Sequence, residues 1–569
     1  MKTVAAVPSA VECLELRPPG QVMRLARIGS FFPSRLSFMR RLIRRMNQEA
    51  WQISAARFDL DDEGYGVAVY EANTGPRVYS LICYSQHLPP ERRSDRVIAE
   101  EWDATFTLFD GRPNQADIDR LATNVPKQEA GRCSARELVL SRANKSVRLF
   151  AHVVDALAQG RQPDVDALAQ VGYLMRTTAV YGNGKFGLAD REKIRQRPEM
   201  AGPFAAEMLA VYLIRCFTLD LVNHVARQKN PDTAVPLEAN LQRFLGIGNS
   251  TGLGMAPFLV THPILINNWI AARETALARV RKVSQISSND LIHFFELIER
   301  AQHHVSEWNV DDERQQSRIL KLREELPELA RQAKAMTAAH PVGGLWDRLF
   351  RWAEMSLSLE AQELLVSLLV ELYPELVDDL AEKMGAGDVP PLATTMTLAR
   401  LNELIETQFS WAMSTDFGDP KRSQRFWYVS EEKLEPRLGD RLAEPGAEKE
   451  MALAISRSIQ ELRRVLDDSD PADSVAHLLL ARPDLRLAVR RVQTAACCPY
   501  SEVQDNLIDE TMLPIDLLRC KLSFFGASKF DPRSDRWTRI TLYQGAPLSH
   551  ELVRPEADDW AFPVQPRGY

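Results

Sequence analysis

The most constraining feature of the sequence is an apolar segment at residues 203–227, whose large hydrophobic side chains recur at helical spacing. Those side chains are Phe204, Met208, Val211, Leu213, Phe217 and Leu221. Because they cover most of its circumference, the segment predicts a helix that is buried on nearly all sides. Arg215, Asp220 and His224 lie within it, and a buried polar group needs a partner. They are therefore either internal ties or site residues, and internal ties are the favoured interpretation.

A glycine-rich stretch at residues 236–280 is the second constraint. Its central residues are Gly246, Gly248, Asn249, Ser250, Thr251, Gly252 and Gly254. Apolar residues at helical spacing on both sides predict a helix, a glycine-rich loop and a second helix. The first N–H groups of a helix lack internal partners, so an anion is the expected ligand of such a loop. A dinucleotide-binding fingerprint is disfavoured because that motif follows a strand. The alternative is a tight helix–helix turn whose glycines only permit close packing.

A second glycine-rich segment, RTTAVYGNGKFGLADR, occupies residues 176–191 and places Lys185 among three glycines. A cation in an open backbone is suited to holding an anion. The segment is not a Walker A loop, because the GxxxxGK[ST] spacing is absent and Phe186 stands where a hydroxyl would bind magnesium. A surface turn with a solvated lysine is the alternative.

Together the two glycine-rich segments predict one site for a small carboxylate- or phosphate-bearing molecule. His262 and Lys185 are the predicted catalytic residues, since imidazole is a common proton carrier and an ammonium group neutralises an anion. The predicted binding residues are Arg176, Tyr181, Gly182, Asn183, Gly184, Gly248, Asn249, Ser250, Thr251 and Asn267. No metal site is predicted, because the sequence contains neither an HExxH motif nor a CxxC pair. The cofactor, if one is used, is not identified.

Composition limits the class of protein. The 569 residues carry a net charge of −7, which argues against a nucleic-acid-binding protein. No apolar run is long enough to cross a bilayer, and the N-terminus does not resemble a secretory signal, so a cytoplasmic location is expected. The seven cysteines are scattered and odd in number, as is typical of reduced thiols.

The sequence predicts a mainly α protein, α+β overall, with a small N-terminal antiparallel sheet and a short C-terminal β-hairpin. Residues 1–50 contain a basic amphipathic helix, expected to dock on the protein's own acidic surface or on a second subunit as part of a homo-oligomer. Alternating segments at residues 51–111 predict a four-stranded meander. Residues 112–384 are interpreted as a helical core, with a predicted helix at 134–158 that begins in a capping box. Residues 392–569 form a C-terminal region with a long polar loop at 416–440.

These features favour an enzyme that uses acid–base chemistry, of the lyase or isomerase kind, on a small anionic molecule. One alternative is a non-catalytic helical scaffold or regulatory protein that binds partners through its helical faces. Another is an oxidoreductase that holds a flavin or nicotinamide in the glycine-rich segments.

Overall fold

The computed structural model describes most of the chain. It leaves out residues 1–13, 30–31, 33–34, 90–100, 126, 128–133, 178–193, 195–196, 253–261, 311–312, 340–343, 386, 388–389, 418–424, 430–435, 441–454, 505–522, 533–536, 555–557, 564–565 and 567–569. Among the described helices, none is long and apolar enough to cross a membrane.

The predicted N-terminal meander is confirmed. Its strands are β1 (Gln52–Leu60), β2 (Gly66–Asn73), β3 (Val78–Ser85) and β4 (Ala104–Asp110), each antiparallel to the next. The acidic residues between β1 and β2 form the predicted turn, in which the Asp61 carboxylate accepts hydrogen bonds from the amides of Glu63 and Tyr65. Gly64 has φ +81°, a value that glycine adopts without strain.

The sheet is not small, which corrects the predicted fold class in part. Five more strands follow: β5 (Glu137–Lys145), β6 (Tyr173–Thr177), β7 (Gly246–Gly252), β10 (Lys529–Pro532) and β11 (Trp537–Leu542). Across the described residues one nine-stranded sheet results, in the order β1-β2-β3-β4-β5-β6-β7-β11-β10. Neighbouring strands are antiparallel except β6 and β7, which are parallel. The predicted C-terminal hairpin exists, but β11 pairs with β7 and so belongs to this sheet.

The helix predicted for residues 134–158 is wrong in its first half. Glu137 does reach back to the Ser134 amide, as in a capping box, but the contact closes a turn that leads into β5. Leu138, Val139 and Leu140 are all buried, one after another, because the strand is covered on both faces. The helix itself spans only Phe150–Ala158.

Helices make up most of the regular structure, in agreement with the mainly α prediction. They are Pro19–Val22, Leu25–Gly29, Phe38–Gln48, Gln115–Ala122, Phe150–Ala158, Val165–Val171, Ala205–Lys229, Ala239–Phe244, Pro263–Arg281, Ser288–Ser306, Glu313–Ala339, Leu345–Ser356, Leu359–Leu372, Pro374–Val377, Leu398–Gln408, Ser410–Met413, Ile455–Asp467, Val475–Ala481 and Arg486–Ala495. Short 3-10 turns lie at Pro198–Met200, Asp378–Met384, Pro483–Leu485 and Ser549–Glu551.

The helix Ala205–Lys229, called the central helix below, lies across one face of the sheet and contacts β2 to β7. Sixteen of its residues are buried, as its apolar circumference predicts. The other face is covered in part by the helix Gln115–Ala122, where Ile118 and Leu121 pack on Ile82 and Phe109. The central helix therefore covers this face of the sheet and contacts six of its strands.

The basic amphipathic helix, Phe38–Gln48, docks on the acidic surface of its own chain. Arg40 donates to Glu371 at 2.7 Å and to Asp558 at 2.9 Å, and Arg41 donates to Glu382 at 2.8 Å. Met39, Leu42, Ile43 and Met46 are buried on its apolar face. The intramolecular alternative is thus confirmed, and a homo-oligomer stays a prediction that a single chain does not test.

Residues 416–440 are not wholly irregular, which corrects the predicted long polar loop. They contain a two-stranded antiparallel hairpin, β8 (Arg425–Val429) and β9 (Pro436–Asp440). Strand β8 contains Phe426, Trp427, Tyr428 and Val429, which are aromatic or β-branched residues that favour strands. The predicted domain boundaries stay predictions.

Candidate functional site

A cavity of about 180 Å³ opens to solvent beside the central helix. The helix contributes Tyr212, Arg215, Cys216, Leu219 and Asp220; β1 and β2 contribute Ile53, Ser54, Ala55 and Tyr70; the remaining lining comes from Gln242, Leu548, Ser549 and His550. Tyr70, Tyr212 and Arg215 are buried and form the inner wall, whereas Ser54, Asp220 and His550 are exposed at the mouth. A pocket of this kind, with a few polar groups converging on it, is a typical binding or active site.

Asp220 is the acidic group of this cavity. The Tyr70 hydroxyl donates a hydrogen bond to its Oδ2, and this bond helps to join β2 to the central helix. Although the residue is exposed at the mouth, the surrounding protein removes part of the water from its carboxyl group, and this raises the pKa of Asp220 above its ordinary value; the hydrogen bond from Tyr70 lowers it in part. Within the described part of the chain, Asp220 has no ion-pair partner. The cavity therefore holds a carboxyl group that no fixed cation neutralises.

Tyr70 is held in place by its own surroundings. It is 2% exposed, and its ring meets the Phe217 ring edge-on at 6.2 Å between centroids. Burial and the neighbouring Asp220 carboxylate both raise the pKa of Tyr70, so the phenol stays protonated at neutral pH and keeps donating. Asp220 is consequently oriented by a fixed donor on the sheet.

Arg215 is a cation in the cavity wall, and its guanidinium is bonded to the backbone. It donates to the backbone carbonyl oxygens of Leu245, Pro547, Gln242, Arg243 and Ala546, at 2.8 to 3.2 Å. These bonds join the central helix to the segments before β7 and after β11. Arg215 is therefore an internal tie, the interpretation that the sequence favoured.

His224 is also a tie, because its Nε2 lies 2.8 Å from the Asp61 carbonyl oxygen in the turn between β1 and β2. Asp220 differs from both, since its carboxylate lines the cavity. Of the three polar residues in the apolar segment, two are internal ties and one is a candidate site residue.

Cys216 lines the cavity without being a nucleophile at neutral pH. Burial raises the pKa of its thiol to about 12, and the partly opposing effect of Arg215 does not restore it. The thiolate is the reactive form of cysteine, so a thiol that stays protonated is inert. The described residues contain no cluster of three or more side chains suited to a metal ion.

The glycine-rich stretch is not a loop in the part described, so the predicted helix–loop–helix is wrong there. Residues 246–252 form β7, between β6 and β11. Gly248 faces the Tyr173 ring of β6, and a Cβ at this position would lie 2.7 Å from a ring carbon. Gly246 likewise leaves only 2.3 Å between such a Cβ and the Leu542 carbonyl oxygen. Both glycines therefore permit close packing, as the alternative interpretation expected, but they do so between strands and not in a helix–helix turn.

The predicted site residues are only partly described. Tyr181, Gly182, Asn183, Gly184 and Lys185 lie outside the described residues, and so do the side chains of Ser250 and Thr251, whose backbone belongs to β7. Thr177, the last residue of β6, is paired with Asn249 of the parallel strand β7, so the carboxyl ends of the two strands point toward the same edge of the sheet.

Asn249 and Arg176 lie at this edge. Asn249 is fully buried and donates through Nδ2 to the Thr177 carbonyl oxygen at 2.9 Å. Its Oδ1 accepts no hydrogen bond from the described residues. Arg176 is half-buried in β6, one residue before Thr177 and paired in register with Gly248.

His262 and Asn267 follow residues 253–261 in the sequence. The helix Pro263–Arg281 begins directly after His262, which confirms the predicted restart at this proline. Asn267 donates to Asn268 Oδ1 at 3.0 Å and accepts from the Tyr500 amide at 3.0 Å. Its side chain thus ties this helix to the segment around Tyr500, and the ligand-binding parts assigned to His262 and Asn267 stay predictions.

Sequence reasoning missed Tyr70 and His550. Tyr70 sits in an ordinary strand pattern, and His550 in a short polar turn 330 residues away from Asp220, so nothing local marks either as a site residue. Asp220 was visible as a carboxylate in an apolar helix. Comparison with protein-family models, curated proteins and solved structures finds no match to this chain, so the geometry described above is the basis for any functional conclusion.

Proposed function

We propose that the protein is an enzyme that binds a small molecule in the cavity beside the central helix and uses Asp220 as its proton-exchanging group. The observation that carries this proposal is the Asp220 carboxyl group, which lines an open cavity, accepts from Tyr70 and forms no ion pair with the described residues. A carboxyl group that lies in a cavity, is held by a fixed donor and has a raised pKa is suited to acid–base catalysis.

The parts of the cavity divide the work. Tyr70 would orient the Asp220 carboxyl group, and His550 at the mouth offers a second proton carrier, since imidazole serves this purpose widely. The apolar residues Leu219 and Leu548 would contact the body of the ligand. A cavity of about 180 Å³ limits the ligand to a small molecule.

A thermal-shift screen of small metabolites tests this proposal when it is run on the wild type, Asp220→Asn and Asp232→Asn. Asp232 is exposed beyond the C-terminal end of the central helix and serves as a matched control. We expect compounds that stabilise the wild type and Asp232→Asn but not Asp220→Asn, and some of these should be converted when followed by NMR. Compounds that stabilise all three proteins equally would place the site elsewhere.

A second candidate is the anion site predicted at the glycine-rich segments, and the parallel pairing of β6 with β7 favours it. Ligands of open sheets commonly bind beyond the carboxyl ends of parallel strands, and both segments follow such ends. In this scheme Lys185 neutralises a carboxylate or phosphate and His262 moves the proton.

Titration with phosphate and with citrate tests the anion site. Thermal stabilisation of the wild type should be lost in Lys185→Gln and weakened in His262→Ala, and it should persist in the distant control Lys321→Gln on the exposed face of its helix. Equal stabilisation of all four proteins would remove this candidate and leave the cavity untouched.

A further inference from the structure

The charged side chains that line the cavity indicate which class of ligand it binds. Among the described lining residues the permanently charged cation is Arg215, and its guanidinium donates to five backbone carbonyl oxygens. Arg215 also does not appear among the groups that shift the pKa of Asp220, which are burial and Tyr70. Asp220 therefore forms no ion pair with any described residue, and its carboxylate is available to a cation.

The hydrogen-bonding groups of the cavity point the same way. Tyr70 donates to Oδ2 of Asp220, which leaves Oδ1 with no hydrogen bond from the described residues. Gln242 donates through Nε2 to the Leu237 carbonyl oxygen at 2.6 Å. The ionised Asp220 carboxylate can only accept, so it is the group in the cavity that calls for a donor. An ammonium group has three donors and no acceptor, and it matches this arrangement.

The remaining walls suit the other parts of a small organic cation. The aromatic rings of Tyr70 and Tyr212 lie in the inner wall, where a ring face can attract a cation. Ile53, Leu219 and Leu548 provide apolar surface for a short hydrocarbon chain. A carboxylate or phosphate in the same place would be repelled by the ionised Asp220 carboxylate.

We propose that the cavity binds a small organic ammonium ion, with Asp220 as its counter-ion and Tyr70 as the positioning residue that fixes Asp220. This inference rests on the proposed function, because it assumes that the cavity is the ligand site, and it deepens that function by naming the ligand class. It also separates the cavity from the anion site at β6 and β7 by the sign of the ligand charge.

Isothermal titration with butylamine, butanol and butanoate tests the inference, because the three probes share a chain and differ in charge. We expect butylamine to bind the wild type at least tenfold more tightly than either of the others. Asp220→Asn should lose at least tenfold in butylamine affinity, whereas Asp232→Asn should bind as the wild type does. Ala55→Phe, at an exposed position of the cavity lining, should block binding of any probe that uses the cavity.

The outcomes distinguish this inference from the function on which it rests. If butanol or butanoate binds as tightly as butylamine and Ala55→Phe blocks it, the ammonium class is wrong and the cavity remains a ligand site. If butylamine binds the wild type and Asp220→Asn equally, the counter-ion assignment is wrong. If Ala55→Phe changes the binding of no probe, both the inference and the cavity function are overturned.

Discussion

Two groups of acidic side chains in this molecule have opposite surroundings. In the arginine cluster, Glu371, Asp378 and Asp558 are enclosed by Arg35, Arg40 and Arg44. In the cavity, Asp220 meets the Tyr70 hydroxyl and no fixed cation of the described chain. Burial acts on the acids of both places, but the guanidinium groups lower the pKa of Asp558 to about 2, whereas the pKa of Asp220 is raised.

The comparison distinguishes carboxylates that are already paired within the protein from one that is not paired and can interact with a ligand. The arginine cluster uses each carboxylate to attach the N-terminal helix Phe38–Gln48 to two distant parts of the chain, around Glu371 and Asp558. Its charges are already satisfied, so a ligand would gain little there. Asp220 is the reverse case, since its charge is costly to the folded protein and is free to interact with a ligand. Substitutions in the two places should therefore affect stability by different amounts and with different pH dependence.

The largest expected effect is from Arg40→Met in the arginine cluster. Arg40 is 4% exposed and holds both Glu371 and Asp558, so its loss leaves two enclosed carboxylates with fewer partners. Removing one partner from a buried ionic network costs about 3–5 kcal/mol. Urea unfolding should show this loss, while Arg464→Met, which breaks an exposed pair with Glu461, should cost less than about 1 kcal/mol. Equal losses in the two variants would mean that the cluster is not structural.

Arg215→Met is expected to cost about 3 kcal/mol, because it leaves several buried carbonyl oxygens without a donor. This variant sharpens the comparison, since Arg215 lines the cavity yet is engaged like the residues of the arginine cluster. The free energy of unfolding from a urea titration measures the effect. Arg215→Lys should recover only part of it, because an ammonium group cannot reach carbonyls on both sides. Full stability of Arg215→Met would reassign Arg215 from tie to free cavity cation.

The sequence predicts the elements whose signals are local. The alternating residues of 51–110 predict the meander, the apolar circumference of 203–227 predicts the central helix, and the arginines of Phe38–Gln48 predict a helix that needs acidic partners. The size of the sheet was missed for a physical reason. Strand β7 is rich in glycine and has little strand propensity of its own, and it forms because β6 and β11 pair with it on both edges.

The candidate site could be predicted only at Asp220. A carboxylate in an apolar helical segment can be recognised in the sequence, and such a polar group is expected to have a partner. The sequence does not identify the partner, because Tyr70 lies 150 residues before Asp220 along the chain. The same holds for Arg215, whose predicted ties are confirmed while its five acceptors come from two distant segments. Contacts between distant segments are set by the assembled sheet and not by any local pattern.

Acid should destabilise the arginine cluster with a defined sign. The pKa of Asp558 is about 2 in the folded protein, compared with its ordinary value of 3.8. The stability that the Asp558 charge contributes is therefore present above about pH 4 and is lost as the pH falls toward 2. The lowering corresponds to about 2 kcal/mol. The stability difference between the wild type and Asp558→Asn should therefore shrink as the pH is lowered from 5 to 2, measured by urea unfolding at each pH. A difference that stays constant would show that the Asp558 charge does not contribute.

Asp220→Asn is expected to have the smallest effect and the opposite sign. Since the pKa of Asp220 is raised in the folded protein, ionisation works against folding as the pH rises through the folded value. Asparagine carries no charge and can still accept a hydrogen bond from the Tyr70 hydroxyl. At pH 8 the variant should therefore be as stable as the wild type or more stable by up to about 1 kcal/mol. The expected gain is small because solvent reaches the cavity mouth. The gain should disappear below about pH 4, where both side chains are neutral. Urea unfolding at pH 8 and pH 4 measures this, with Asp232→Asn as the control that should not change. A loss of stability in Asp220→Asn at pH 8 would mean that the carboxylate has a partner in the folded protein, and it would place Asp220 with the acids of the arginine cluster.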